Sequence, residues 1–112
     1  MTDEELVDAL KALAHPVRLR IMQALTGTER NVGEIDDVAE IGQPTLSQQL
    51  AVLRNAGLVK TRKDAKLVYY RIEEDTLAQV VGATSELGGL SARPVRHSRQ
   101  PAPGVANFAK LG

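Results

Sequence analysis

Between residues 43 and 49 the chain carries Gln43, Pro44, Thr45, Ser47, Gln48 and Gln49, polar or compact side chains with no charge among them. Amides and hydroxyls of this size, presented on one face of a helix, can reach the edges of base pairs: Gln pairs with adenine, and Ser or Thr reaches bases or phosphates. A second group follows at once. From Arg54 to Arg71 stand Arg54, Lys60, Arg62, Lys63, Lys66 and Arg71, opposed only by Asp64. Guanidinium and ammonium groups concentrated in this way suit a phosphate backbone, where they position a protein and carry little sequence information. Together the two groups imply an interface for double-stranded DNA. Taken singly, each has a plainer explanation: the polar face of an ordinary bundle helix, and a lysine-rich edge that resists aggregation.

The elements that must position these residues follow from periodicity. Leu6, Leu10 and Leu13 form the stripe of an amphipathic helix, and Ala14-His15-Pro16 breaks it, since Pro disfavours helix in the residue before it and suits the start of a new one. A second helix is predicted from about Pro16 to Leu25, ending at Thr26-Gly27. Val32, Ile35 and Val38 predict a helix of one or two turns. Glu40-Ile41-Gly42 is a tight connector, and Gln43-Pro44-Thr45 opens a longer helix through Asn55, closed by Gly57. On that helix Leu46, Leu50 and Leu53 fall on one face, opposite Pro44, Gln48 and Asn55. After Gly57 the pattern alternates: 58–63 and 67–72 read as strands of a β-hairpin with Asp64-Ala65-Lys66 at its tip. Tyr69 and Tyr70 then point to opposite faces, so at most one belongs to the core. A last helix, from Asp75 to about Leu87, carries Leu77, Val80, Val81, Thr84 and Leu87 on one face. The fold class expected is mainly α with a small β-hairpin (α+β), a winged helix-turn-helix over residues 1–90. Residues 91–112 shift to Pro, Ser and Arg and read as a flexible basic tail.

Composition excludes several functions. The formal net charge is zero, with 14 basic and 14 acidic residues, which by itself argues against a nucleic-acid binder. Its distribution reverses that impression, because Asp3, Glu4, Glu5 and Asp8, then Glu34, Asp36, Asp37 and Glu40, leave the segment after Arg54 as one basic face. The sequence has no cysteine, which removes disulfides and thiolate sites. His15 and His97 are too few for zinc, and His15 at a helix start reads as a cap or packing group. No metal and no cofactor is expected. Asp36-Asp37 and Glu73-Glu74-Asp75 cannot converge on a substrate, since adjacent helix residues diverge, and no phosphate-cradling loop or nucleophile arrangement can be assembled, so an enzyme is not expected. The acidic opening MTDEELVDAL is unlike a signal peptide, and no apolar run is long enough to span a membrane. A cytoplasmic location is the expectation.

The segments LKALAHPVRLRIMQAL, VGEI, IGQPTLSQQLAVLRNAGLV and TRKDAKLVYYRI, in this order, resemble the ArsR/SmtB family of bacterial winged-helix repressors across residues from about Leu6 to Leu90. The resemblance implies a homodimer joined through its first and last helices and bound to an imperfect inverted repeat. By position it places Gln43, Thr45, Ser47, Gln48 and Gln49 on or beside the recognition surface, and Arg62 and Lys66 on the wing. It assigns the acidic first helix, with Leu6 and Leu10, and the Leu77, Val80, Val81 and Thr84 face to the dimer contact. The sensor sites depart from the family pattern. Where arsenic-type sensors carry thiols, this chain has Asn31, Val32 and Gly33; Asp75 has no His beside it on the last helix; and the cysteine pair of the sulfide- and oxidant-sensing branch is absent. A small-molecule effector of unknown identity stays open, as do activation or antirepression in place of repression. The alternative from another class is a winged-helix module that docks a partner protein.

Overall fold

The computed structural model describes residues 1–89, and the expected tail at 91–112 lies outside the described residues. Five helices and three strands follow in the order α1 (Asp3–Leu13), α2 (Pro16–Ala24), β1 (Arg30–Asn31), α3 (Val32–Ala39), α4 (Thr45–Asn55), β2 (Val59–Asp64), β3 (Leu67–Ile72) and α5 (Glu74–Leu87). This is the expected winged helix-turn-helix. The chain divides within α5 into two units, residues 1–81 and 82–112. All of the architecture below belongs to the first; the described part of the second is the last stretch of α5 and the turn at Gly88-Gly89.

Capping explains where the helices begin. Thr2 and Glu5 form a reciprocal capping box at α1, with Thr2 Oγ1 accepting the Glu5 N–H at 3.1 Å and Glu5 Oε1 accepting the Thr2 N–H at 2.7 Å. Its backbone hydrogen bond from Thr2 holds the Glu5 carboxyl below its ordinary pKa. The His15 ring caps α2, its Nδ1 accepting the Val17 N–H at 3.2 Å while Pro16 occupies the first turn. Asn31 and Glu34 repeat the capping box at α3.

The joint between α3 and α4 is built from polar contacts. Glu40 ends α3 in the left-handed region with φ 55°, and Gly42 follows at φ 84°, where a side chain would be strained. This backbone leaves N–H groups pointing back at α3, and Asp36 Oδ1 accepts two of them, from Ile41 at 2.9 Å and Gly42 at 2.8 Å. From the other side Arg20 Nη2 donates to the Ala39 and Glu40 carbonyls. The first half of the turn, at residues 39–42, is therefore held from both α3 and α2.

Below this joint lies an aliphatic core. Ile21, Leu25, Ile35, Leu46, Leu50, Leu53 and Leu58 are fully buried, and no polar or charged side chain among the described residues is buried with them. Tyr70 packs against this cluster as a partly buried neighbour, as the alternation allowed. The sheet has the order β1-β3-β2, antiparallel throughout. Only the hairpin shows in the sequence pattern: β1 is two residues long, too short for alternation to appear. Element boundaries also shift by one or two residues. The hairpin strand β2 runs on to Asp64, leaving Ala65 and Lys66 as the turn with Ala65 at φ 55°, and α4 proper starts at Thr45, with Gln43 and Pro44 still in the turn.

Asp36→Ala strands two backbone donors in the joint, so urea unfolding is expected to show a loss of about 1–3 kcal/mol. The m-value should stay constant. A change under about 0.3 kcal/mol would show that water replaces the carboxylate without cost.

Candidate nucleic-acid interface

Leu46, Leu50 and Leu53, buried in the core, set the rotation of α4 about its own axis. The opposite side is thereby turned outward, and Gln43, Pro44, Thr45, Ser47 and Gln48 are all exposed. Their states differ. Gln43 Oε1 accepts the Ser47 N–H at 3.1 Å, capping the helix that Pro44 cannot cap with a side chain. Gln48 makes no side-chain hydrogen bond among the described residues, so its amide can offer both donor and acceptor to a base edge.

Gln49 is placed differently from its neighbour. It is half-buried, and its Oε1 accepts from Arg18 Nη1 at 2.8 Å. Arg18 also donates through Nε to the Ala12 carbonyl at 2.6 Å and through Nη2 to the Lys11 carbonyl at 3.3 Å. One guanidinium thus ties the end of α1 and the flank of α4 to α2. In this position Gln49 supports the exposed face from beneath.

The basic residues also separate into two sets. Lys60 lies across the ladder from Arg71 and pairs with Glu73 at 3.4 Å. Arg62 Nε donates to both oxygens of Glu29, at 2.9 and 3.0 Å, its Nη2 bonds the same carboxylate, and its guanidinium lies 4.7 Å over the Tyr69 ring. Asp64 Oδ2 stands 3.7 Å from Arg62 Nη1. Hydrogen bonding from Arg62 holds the Glu29 carboxyl below its ordinary pKa, and Glu29 in turn raises that of Arg62. Any stabilisation from this pair is therefore present above the ordinary Glu value and fades as pH falls through the lowered one. Lys63 and Lys66 near the hairpin tip, Arg71 on β3 and Arg54 in the last turn of α4 are exposed and form no ion pair among the described residues. They are the cations available to a phosphate backbone as the protein stands.

The residues expected at the dimer contact are likewise mixed. Leu10 and Val81 are exposed, at 37% and 55%, and Thr84 is exposed. Leu6 and Leu77 are partly buried against the core, and Val80 is within it at 3% exposure. Among the described residues no group of three or more His, Cys, Asp or Glu side chains is arranged to hold a metal ion, and no helix is long and apolar enough to cross a membrane. His97 lies outside the described residues.

Sequence reasoning missed Glu29, Arg18 and Arg20. Each stands 19 to 33 positions away from its partner along the chain, and nothing in local spacing signals such a pairing. Asp36 was legible in principle, since a carboxylate five and six residues before a Gly-containing turn is placed to accept its N–H groups.

A reading helix seated on a helical scaffold, with a basic hairpin beside it, defines the winged helix-turn-helix class of DNA-binding proteins. A helix-turn-helix domain model matches residues 13–62. The chain is 49% identical over 79 residues to the biofilm growth-associated repressor of Xylella fastidiosa, covering 70% of this chain and 69% of the relative. It is 42% identical over 72 residues to the transcriptional activator HlyU of Vibrio cholerae, covering 64% and 67%. The crystal structure of the transcriptional repressor BigR from Xylella fastidiosa superposes with a TM-score of 0.61 at 45% identity, covering 78% of this chain and 96% of that one. The chain belongs to the ArsR/SmtB family of helix-turn-helix transcriptional regulators. It is a DNA-binding regulator of transcription and not an enzyme.

Arg18→Met and Gln49→Leu should each lower stability, and a double-mutant cycle by urea unfolding should return a coupling of about 0.5–2 kcal/mol. Additive effects would mean that the Arg18–Gln49 contact does not brace α4.

Proposed function

We propose that the protein is a homodimeric repressor that reads an inverted repeat with one α4 in the major groove of each half-site. The observation that carries this is the outward face of α4: Thr45, Ser47 and Gln48 exposed, uncharged and short, on a helix whose rotation three buried leucines fix. Lys63 and Lys66 on the wing and Arg54 at the end of α4 supply phosphate contacts, while Arg62 becomes available only by leaving Glu29. The exposed apolar groups of α1 and α5, Leu10 and Val81, support a two-fold contact through the first and last helices. That symmetry places two reading helices about one turn of DNA apart.

Repression follows the name of the Xylella relative, the biofilm growth-associated repressor; the Vibrio cholerae relative is named a transcriptional activator, so activation is the second reading. The protein works in the cytoplasm, where a bacterial chromosome is exposed to it. Any small-molecule effector acts through contacts other than thiolates, as the sequence carries no cysteine.

Fluorescence anisotropy on the DNA flanking its own coding region, against a shuffled duplex of equal length, tests the reading. A preference of at least about 10³ is expected, with affinity falling about 10³–10⁵-fold between 50 and 200 mM salt. Equal, weak binding to both duplexes would favour a protein-docking module instead. In the same assay Gln48→Ala should erode the preference and leave the salt slope unchanged, whereas Lys66→Ala should weaken both duplexes alike and flatten the slope by about 0.9 for each phosphate no longer neutralised. Leu10→Arg should convert a dimer to a monomer in sedimentation velocity and abolish tight binding; a monomeric parent protein would remove the two-fold arrangement.

A further inference from the structure

We propose that Glu29 is a stand-in for a DNA phosphate, occupying the fork of Arg62 in the unbound protein and setting how strongly the wing grips the backbone. The inference rests on the DNA-binding reading above and adds a residue to it. Three geometric facts carry it. The Glu29 carboxylate takes Nε and Nη2 of Arg62, the two-point arrangement by which a guanidinium also holds phosphate oxygens. Asp64 sits beside the remaining nitrogen, and Tyr69 covers one face of the guanidinium plane. The two-point Nε/Nη2 edge of Arg62 is therefore closed to a phosphate until Glu29 gives way.

The exchange is feasible because nothing buries the pair. The Arg62 and Glu29 side chains are 52% and 31% exposed, and they border an open surface cleft of about 500 Å³ that Lys60, Thr61 and Arg71 also line. Exposed ion pairs contribute little to stability, so a duplex phosphate can replace the carboxylate at small cost. Arg71 already acts electrostatically on Glu29, which leaves the displaced carboxylate beside a cation. Glu29 stands in the connection between α2 and β1, away from the reading face of α4, so its influence falls on backbone affinity and leaves base preference alone.

The test uses the full chain with Glu29→Gln, Arg62→Ala and the double variant, measured by anisotropy on the operator and the shuffled duplex over a salt series. Glu29→Gln should bind both duplexes several-fold more tightly with an unchanged ratio between them. Its salt slope should stay close to that of the parent, because Arg62 holds the same phosphate in both complexes once Glu29 has given way. The double variant should bind like Arg62→Ala alone, which separates release of Arg62 from the general effect of removing a negative charge. Thermal unfolding of Glu29→Gln close to that of the parent confirms an intact fold. Unchanged or weaker binding, or a gain that survives in the double variant, overturns the role assigned to Glu29 while leaving DNA binding intact. A parent protein with no salt-sensitive affinity for duplex removes the DNA-binding reading and this inference with it.

Discussion

The seating of α4 in the aliphatic core is the constraint on which the rest of the structure depends. A helix that reads base edges must present the same side chains at the same depth every time, and it has no partner of its own to hold it on the outward side. Leu46, Leu50 and Leu53 supply the inward hold, packed among Ile21, Leu25, Ile35 and Leu58. Burial of this kind is strong and non-directional; it fixes which face is in and leaves the axial position and tilt loosely defined. Directional contacts complete the placement. Asp36 and Arg20 lock the turn into α4, and Arg18 braces its flank through Gln49. The polar work is concentrated at the edges of the helix, where hydrogen bonds are satisfied without interrupting the core.

Electrostatics is organised on the same plan. A chain of zero net charge cannot attract DNA by its overall field, so the sign must be separated in space. Carboxylates occupy the first turn of α1, where the helix dipole favours them, and Arg54 sits in the last turn of α4, where it favours cations. On the wing the separation is incomplete: Lys60 and Arg62 meet Glu73 and Glu29, while Lys63 and Lys66 form no ion pair among the described residues. Counting charges along the chain overstates the positive face. Counting them in space reduces it to the hairpin tip, Arg71 on β3 and the end of α4.

The fold was legible because it rests on local rules. Helical stripes, the His15-Pro16 break, the Gly57 stop and the alternation after it are read within windows of a few residues, and each corresponds to an element of the structure. The outward face of α4 was legible for the same reason, since three leucines at helical spacing determine the opposite side. What escaped was set by contacts between distant segments. Gln49 looks like Gln48 in sequence, yet one faces Arg18 and the other faces outward, a distinction of one helical step. Arg62 looks like Lys66, and only the loop carrying Glu29 separates their states. The strand β1 has no pattern of its own, being defined entirely by its pairing with Tyr69 and Tyr70.

That short strand has a mechanical consequence. Its residues pair Arg30 with Tyr70 and Asn31 with Tyr69, and Asn31 is also the cap from which α3 begins. The hairpin is therefore not a cantilever hanging from the end of α4. It is tied at mid-length to the near end of α3, whose far end carries the locked turn into α4. A closed loop of struts results, running from wing to α3, through the joint to α4, and back along the chain into β2. Such a frame resists shear, so any displacement of the wing relative to α4 must be carried through α3 and the joint that Asp36 holds.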